Sequence, residues 1–269
     1  MEGLLSYGFL QRALLTGVLI GVACAVLGVF LVLRRDAMVG HGLSHVTFAG
    51  VALGLYLKVI PLGAALVVAV AAALGLMKLR EKAGLYGDTA LGIISSTGLA
   101  VGILLATLSH SFNVSLFSYL FGEILAIQDV EVALTLILAI LVAAAVLLNY
   151  RKLLFMTFDP ESARASGVRT DRLETLLAVL TAVTIVLGIR VVGILLVSAL
   201  LVVPAAAGLQ LARDFRRALG LAVAASLVSV VGGILAAFLF DLPASAAIVL
   251  LSFVIFCLAF LGRRLRPRA

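Results

Sequence analysis

The sequence predicts an all-α fold, a polytopic bundle of about nine transmembrane helices, with eight spans as the alternative count. Three observations predict it. Of 269 residues, 64% are hydrophobic and 12% are charged, whereas a soluble domain runs at about 45–50% apolar and roughly 25% charged. Mean hydropathy is +1.29. Apolar runs of about 20 residues, enough for a helix to cross roughly 30 Å of hydrocarbon, follow one another almost without pause. This composition excludes a soluble enzyme, a nucleic-acid binder and a disordered scaffold.

In order, the spans fall at approximately Ala13–Leu33, Val39–Leu57, Ile60–Met77, Thr89–Leu108, Val130–Leu148, Leu173–Gly188, Val191–Leu211, Ala218–Phe240 and Pro243–Leu261. No basic residue precedes Arg12 and the first run lacks a small-residue cleavage site, so it reads as a retained span and not a signal peptide. Loop cations set the orientation. With the amino terminus outside, the inside loops hold Arg34, Arg35, Lys78, Arg80, Lys82, Arg151, Lys152, Arg164, Arg169, Arg172, Arg213, Arg216, Arg217, Arg263, Arg264, Arg266 and Arg268. Outside are Lys58 and Arg190, with Arg12 near the outer end of the first span. This positive-inside bias predicts an odd number of crossings and a carboxyl terminus inside. It also accounts for the excess of cations without nucleic acid.

Glycines recur four residues apart as Gly17 with Gly21, Gly50 with Gly54, and Gly98 with Gly102. Such pairs let helix backbones approach closely in lipid and predict a tightly packed bundle. The polar stretches are too short for a second domain, so residues 1–269 form one membrane domain. Cys24 and Cys257 lie inside apolar runs and read as small buried hydrophobes, not a disulfide or a metal site. The outer segment from Ser109 to Asp129 is half apolar, and either re-enters the membrane or lies along its surface. His110, Glu123 and Asp129 lie there, either as a guide for cations or as solvated loop residues.

Chemistry concentrates in three places. The second span opens Met38-Val39-Gly40-His41-Gly42-Leu43-Ser44-His45, and spacing of four puts both imidazoles on one helix face. Ionisable side chains within a span are costly and usually face the bundle interior or a water path. Neutral imidazole also binds zinc and other late transition metals. Metal or proton handling is the functional reading; satisfaction by carbonyls of neighbouring helices is the structural one. The glutamate of a zinc protease's H-E-x-x-H is absent, since Gly42 follows His41, and the chain has no G-x-x-x-x-G-K-[ST] phosphate loop. No nucleophile or acid pair suggests an enzyme, and ATP hydrolysis would need another subunit.

The second place is the inner stretch Phe158–Gly167, which has the signals of a short extramembrane helix. Asp159 caps it, Pro160 suits its first position, Glu161 favours the positive end of its dipole and Gly167 closes it. So short a helix must dock, either on its own bundle or on a cytoplasmic partner. The third place is Pro204, mid-span, where a missing N–H can kink the helix as a hinge or as static shape.

Three stretches together resemble one family, the membrane permease subunits of bacterial ABC importers for zinc, manganese and iron. Leu33–Gly54, LRRDAMVGHGLSHVTFAGVALG, is similar to that family's arginine pair, small-residue turn and S-H ahead of a glycine-rich helix. Phe158–Gly167, FDPESARASG, looks like its cytoplasmic coupling helix. Val191–Ala212, VVGILLVSALLVVPAAAGLQLA, is similar to its proline-interrupted late span.

The resemblance implies an importer-type ABC permease for divalent transition metal ions, with zinc favoured and manganese or iron as alternatives. The implied partners are two ATPase subunits, an extracytoplasmic metal-binding protein, a second permease copy in a homodimer, and membrane lipid. No cofactor is held permanently; ATP acts through the partner subunit, and the implied location is the cytoplasmic (inner) membrane of a bacterium or archaeon. Coupling to the ATPase would fall to Asp159, Pro160, Glu161, Ala163 and Gly167. In the family's G-D-x-x-S-H the aspartate and histidine are associated with metal in the translocation path; here these positions are His41 and His45. Histidine in place of the hard oxygen ligand shifts the expected preference from manganese towards zinc. The alternatives are an ABC permease for a metal chelate such as a siderophore or cobalamin, and a proton-coupled secondary transporter. The first tends to be longer, and the second expects more carboxylates within the spans.

Overall fold

The computed structural model describes residues 8–83, 87–109, 114–123 and 127–265. They form eleven helices: α1 (Gly8–Leu33), α2 (Met38–Tyr56), α3 (Pro61–Ala83), α4 (Gly87–Leu108), α5 (Val114–Phe121), α6 (Asp129–Phe158), α7 (Pro160–Ala165), α8 (Thr170–Val192), α9 (Ile194–Leu211), α10 (Phe215–Phe240) and α11 (Ala244–Leu265). Among the described residues nine helices have 18 residues or more, one for each predicted span. Eight are long and apolar enough to cross a membrane, and the described apolar run of α9, Leu196–Leu211, is shorter.

Contacts at the helix ends define two faces. At the first face, Arg12 of α1 pairs with Asp129 of α6 at 3.1 Å, and Phe9 of α1 meets Phe238 of α10 at 6.2 Å between ring centroids. At the second, Phe215 of α10 gathers Phe30 of α1, Tyr150 and Phe158 of α6 at 5.2, 5.9 and 6.4 Å. Arg263 of α11 donates to Gln210 of α9 at 2.7 Å on the same side. The start of α1 and the end of α11 therefore lie on opposite faces, as an odd number of crossings requires.

α1, α2 and α8 form the buried centre, while α3, α4, α6 and α11 expose most of their length. Leu147, Leu148 and Leu250 on the outer helices are more than 60% exposed. Such an apolar surface suits lipid, where helices hold together by close packing and not by hydrophobic exclusion. The glycine pairs supply that packing. A Cβ at Gly50 or Gly54 would come within 2.6 Å of the Cα of Ala65 or Pro61 on α3, and one at Gly98 within 2.9 Å of the Cα of Val46 on α2. At Gly21 the small residue lets Ser226 of α10 donate to its carbonyl at 2.8 Å. Buried Thr47, Thr181 and Thr184 instead return to their own helices, each donating to the carbonyl four residues earlier at 2.7 Å. Cys24 and Cys257 are free thiols.

One segment differs from the sequence expectation. Residues 149–158, expected as loop, continue α6 as helix, because Leu153, Met156 and Thr157 keep a buried stripe at spacings of three and one beneath the polar Tyr150-Arg151-Lys152. On the first face, α5 is a short helix packed on α8, α9 and α2. Gly122 after it sits against Gly193, which joins α8 to α9, and both glycines have positive φ, 78° and 79°.

Candidate ion path and coupling segment

The α1–α2 turn brings the histidines to the second face. Arg35 takes a positive φ of 61°, Asp36 N–H donates to the Leu31 carbonyl at 2.8 Å while the Asp36 carbonyl accepts from Val39 N–H at 2.9 Å, and α2 starts at Met38. With a rise of about 1.5 Å per residue, His41 and His45 lie in the first two turns, within about 10 Å of the helix start. Their Nε2 atoms are 3.1 Å apart and their rings meet edge to face with centroids 4.6 Å apart. His41 is exposed and His45 half-buried. Both turn away from the core, where Ser44 is buried and donates to the Gly40 carbonyl at 2.8 Å. Ser44 therefore does not join them, although it neighbours them in sequence.

His41 opens on a cavity of about 320 Å³ between α2 and α4, lined by Met38, His41, Gly42, Leu91, Gly92 and Ser95. The close crossing of α4 on α2 shapes it. Two nitrogens bound at about 2.0–2.1 Å to one tetrahedral zinc stand about 3.3 Å apart, so the pair is set for a shared ion with a few tenths of an ångström of adjustment. Otherwise one ring nitrogen donates to the other. Among the described residues no cluster of three or more His, Cys, Asp or Glu side chains is placed to hold a metal, so an ion held at this pair would meet two imidazoles of the described residues. Glu123 and Asp129 lie at the first face, Asp129 in its ion pair with Arg12; His110 lies outside the described residues.

α7 is built from local signals. The Asp159 carboxylate accepts from the Ser162 N–H at 2.9 Å, Pro160 takes the first position, and Gly167 closes the turn at φ 82°. Val168 N–H returns to the Ala163 carbonyl at 3.0 Å. Ala163 is fully buried against the bundle, whereas Glu161, Ser162, Arg164 and Ala165 are exposed. One face of the helix docks on its own chain and the other is free. Hydrogen bonds from the Ser162 hydroxyl and N–H hold the Asp159 carboxyl below the usual carboxylate range. Asp159→Ala should weaken the cap by about 1 kcal/mol, read as faster amide exchange across α7. Because the folded pKa is depressed, the cap is present at neutral pH and lost only as pH falls through that lowered value. Pro204 is buried in the middle of α9, which continues through it.

The chain matches the ABC 3 transport family over residues 6–263. It belongs to that family. The permease is similar to the manganese transport system membrane protein MntC of Listeria innocua, 36% identical over 97% of this chain and 93% of that one. It is also similar to the high-affinity zinc uptake system membrane protein ZnuB of Haemophilus influenzae, 35% identical over 96% and 98%. Among solved structures it is similar to PsaBC from Streptococcus pneumoniae in complex with Fab, with a TM-score of 0.86 at 31% identity, covering 96% of this chain and 93% of that chain. The all-helical permease fold and the family expected from Leu33–Gly54, Phe158–Gly167 and Val191–Ala212 are thus both found.

Proposed function

We propose that this permease imports a divalent transition metal ion, zinc in preference to manganese or iron, and that His41 and His45 hold the ion in transit. The observation that carries the reading is the 3.1 Å separation of two Nε2 atoms on an open face of a membrane helix. An imidazole pair facing hydrocarbon is costly, so this face of α2 borders water or another protein chain. A second copy related by a two-fold axis brings its own pair against the first, turning two ligands into four. Relatives named for manganese and zinc transport support metal as the cargo, and two imidazoles favour zinc.

The second face, with its arginines and α7, is cytoplasmic in this reading, and the amino terminus lies outside. Residues 1–269 act as one permease domain in the cytoplasmic membrane. Asp159, Pro160, Glu161, Ala163 and Gly167 form the helix that docks on the ATPase subunits, and an extracytoplasmic metal-binding protein delivers the ion to the first face. ATP binding in the partner favours one of two conformations of the complex, and Pro204 provides the hinge in α9. Cells lacking their own metal uptake and expressing the complete complex should accumulate zinc above manganese and iron by elemental analysis. Accumulation of none of the three would refute the reading.

A further inference from the structure

At the second face, four charged side chains from three separate elements form one half-buried cluster. Arg34, in the α1–α2 turn, reaches Glu174 of α8 at 2.7 Å and Asp36 at 3.5 Å; Arg80 of α3 reaches the other oxygen of Asp36 at 2.9 Å. The Arg34 side chain is 13% exposed. The cluster encloses a cavity of about 20 Å³, lined also by Val39, Leu177 and Ala178, and the buried Arg34 Nη1 and Arg80 Nε have no hydrogen-bond partner. Donor capacity is therefore left over.

The cluster stands between two other features. One turn before Glu174 on α8, Asp171 and Thr170 are held by Arg164 of α7, at 2.8 and 3.2 Å. Seven residues beyond Arg34 is His41. α7 is thus tied through Arg164 to the first turn of α8, α8 through Glu174 to the α1–α2 turn, and that turn leads directly into the helix bearing both histidines. Residues 140 positions apart make the central contact.

We infer that the Arg34–Glu174 ion pair is the joint through which movement of α7 is passed to the histidine pair, so that both are positioning residues for transport. Coupling between sites needs an element that both sites bias, and α8 with the turn it grips is such an element. The inference rests on the permease reading above, and its test separates the two. The complete complex is reconstituted in liposomes with ATPase and binding-protein subunits, and zinc moved per ATP hydrolysed is measured. Glu174→Gln and Arg34→Gln should each lower that ratio at least about fivefold while ATP hydrolysis persists. The charge-reversed double variant Arg34→Glu with Glu174→Arg should restore it to within about twofold of wild type.

An unchanged ratio in both single variants, with transport and hydrolysis intact or falling together, overturns the joint. So does failure of all three variants to assemble, which marks the pair as structural. An assembled double variant that stays uncoupled also overturns it. Wild-type complex that hydrolyses ATP but moves no metal refutes the permease reading instead.

Discussion

Alanine at His41 or at His45 should leave the complex assembled and cut ATP-driven zinc uptake at least about 100-fold, since even the loss of a ligand's outer hydrogen-bond partner costs about 10–100-fold. Each alanine substitution leaves this chain with one imidazole of the pair, and among the described residues no cluster supplies a further donor to replace it. His41→Asp should behave differently. It restores an oxygen ligand at the position where the resembling motif has one, so uptake should persist with its preference moved towards manganese. Zinc and manganese uptake at matched membrane abundance checks all three variants. Equal zinc uptake by both alanine variants and wild type would return the histidines to a packing role.

Gly193→Val should lose most of the assembled protein. Gly193 joins α8 to α9 at φ 79°, ψ 162°, a backbone conformation almost confined to glycine, and forcing another residue into it costs about 1–3 kcal/mol. A Cβ there would also strike the Leu120 carbonyl oxygen and come within 2.7 Å of the Gly122 nitrogen. Overpacking against backbone adds about 1–3 kcal/mol more, against a total stability of about 5–15 kcal/mol for a typical protein. The neighbour cannot yield cheaply, because Gly122 is itself at φ 78° and its own Cβ position is 2.9 Å from the Val191 carbonyl oxygen. Yield and thermal stability in detergent measure the loss; Gly220→Ala, where an added Cβ meets nothing within 4 Å, is the matched control.

What the sequence made legible follows from how far apart the interacting residues are. The spans could be placed because each is a continuous apolar run, and α7 because Asp159, Ser162 and Gly167 act within a few residues of one another. The histidine pair was legible for the same reason: spacing of four fixes one helix face. Its outward direction was not, since that depends on which side of α2 faces the buried centre that it shares with α1 and α8. The continuation of α6 to Phe158 was hidden by Tyr150-Arg151-Lys152, although the buried Leu153, Met156 and Thr157 carried a helical signal. The Gly122–Gly193 contact and the Arg34–Glu174 ion pair join distant parts of the chain, and nothing local marks either. Long-range pairing is where helix-by-helix reading stops.

The most direct test of the account is ATP-driven zinc uptake into liposomes holding the complete complex, wild type beside His45→Ala. The account predicts uptake that requires ATP in the wild type and is lost in His45→Ala while assembly and ATP hydrolysis remain. Uptake by the variant equal to wild type, or no ATP-dependent uptake of zinc by wild type, would contradict it.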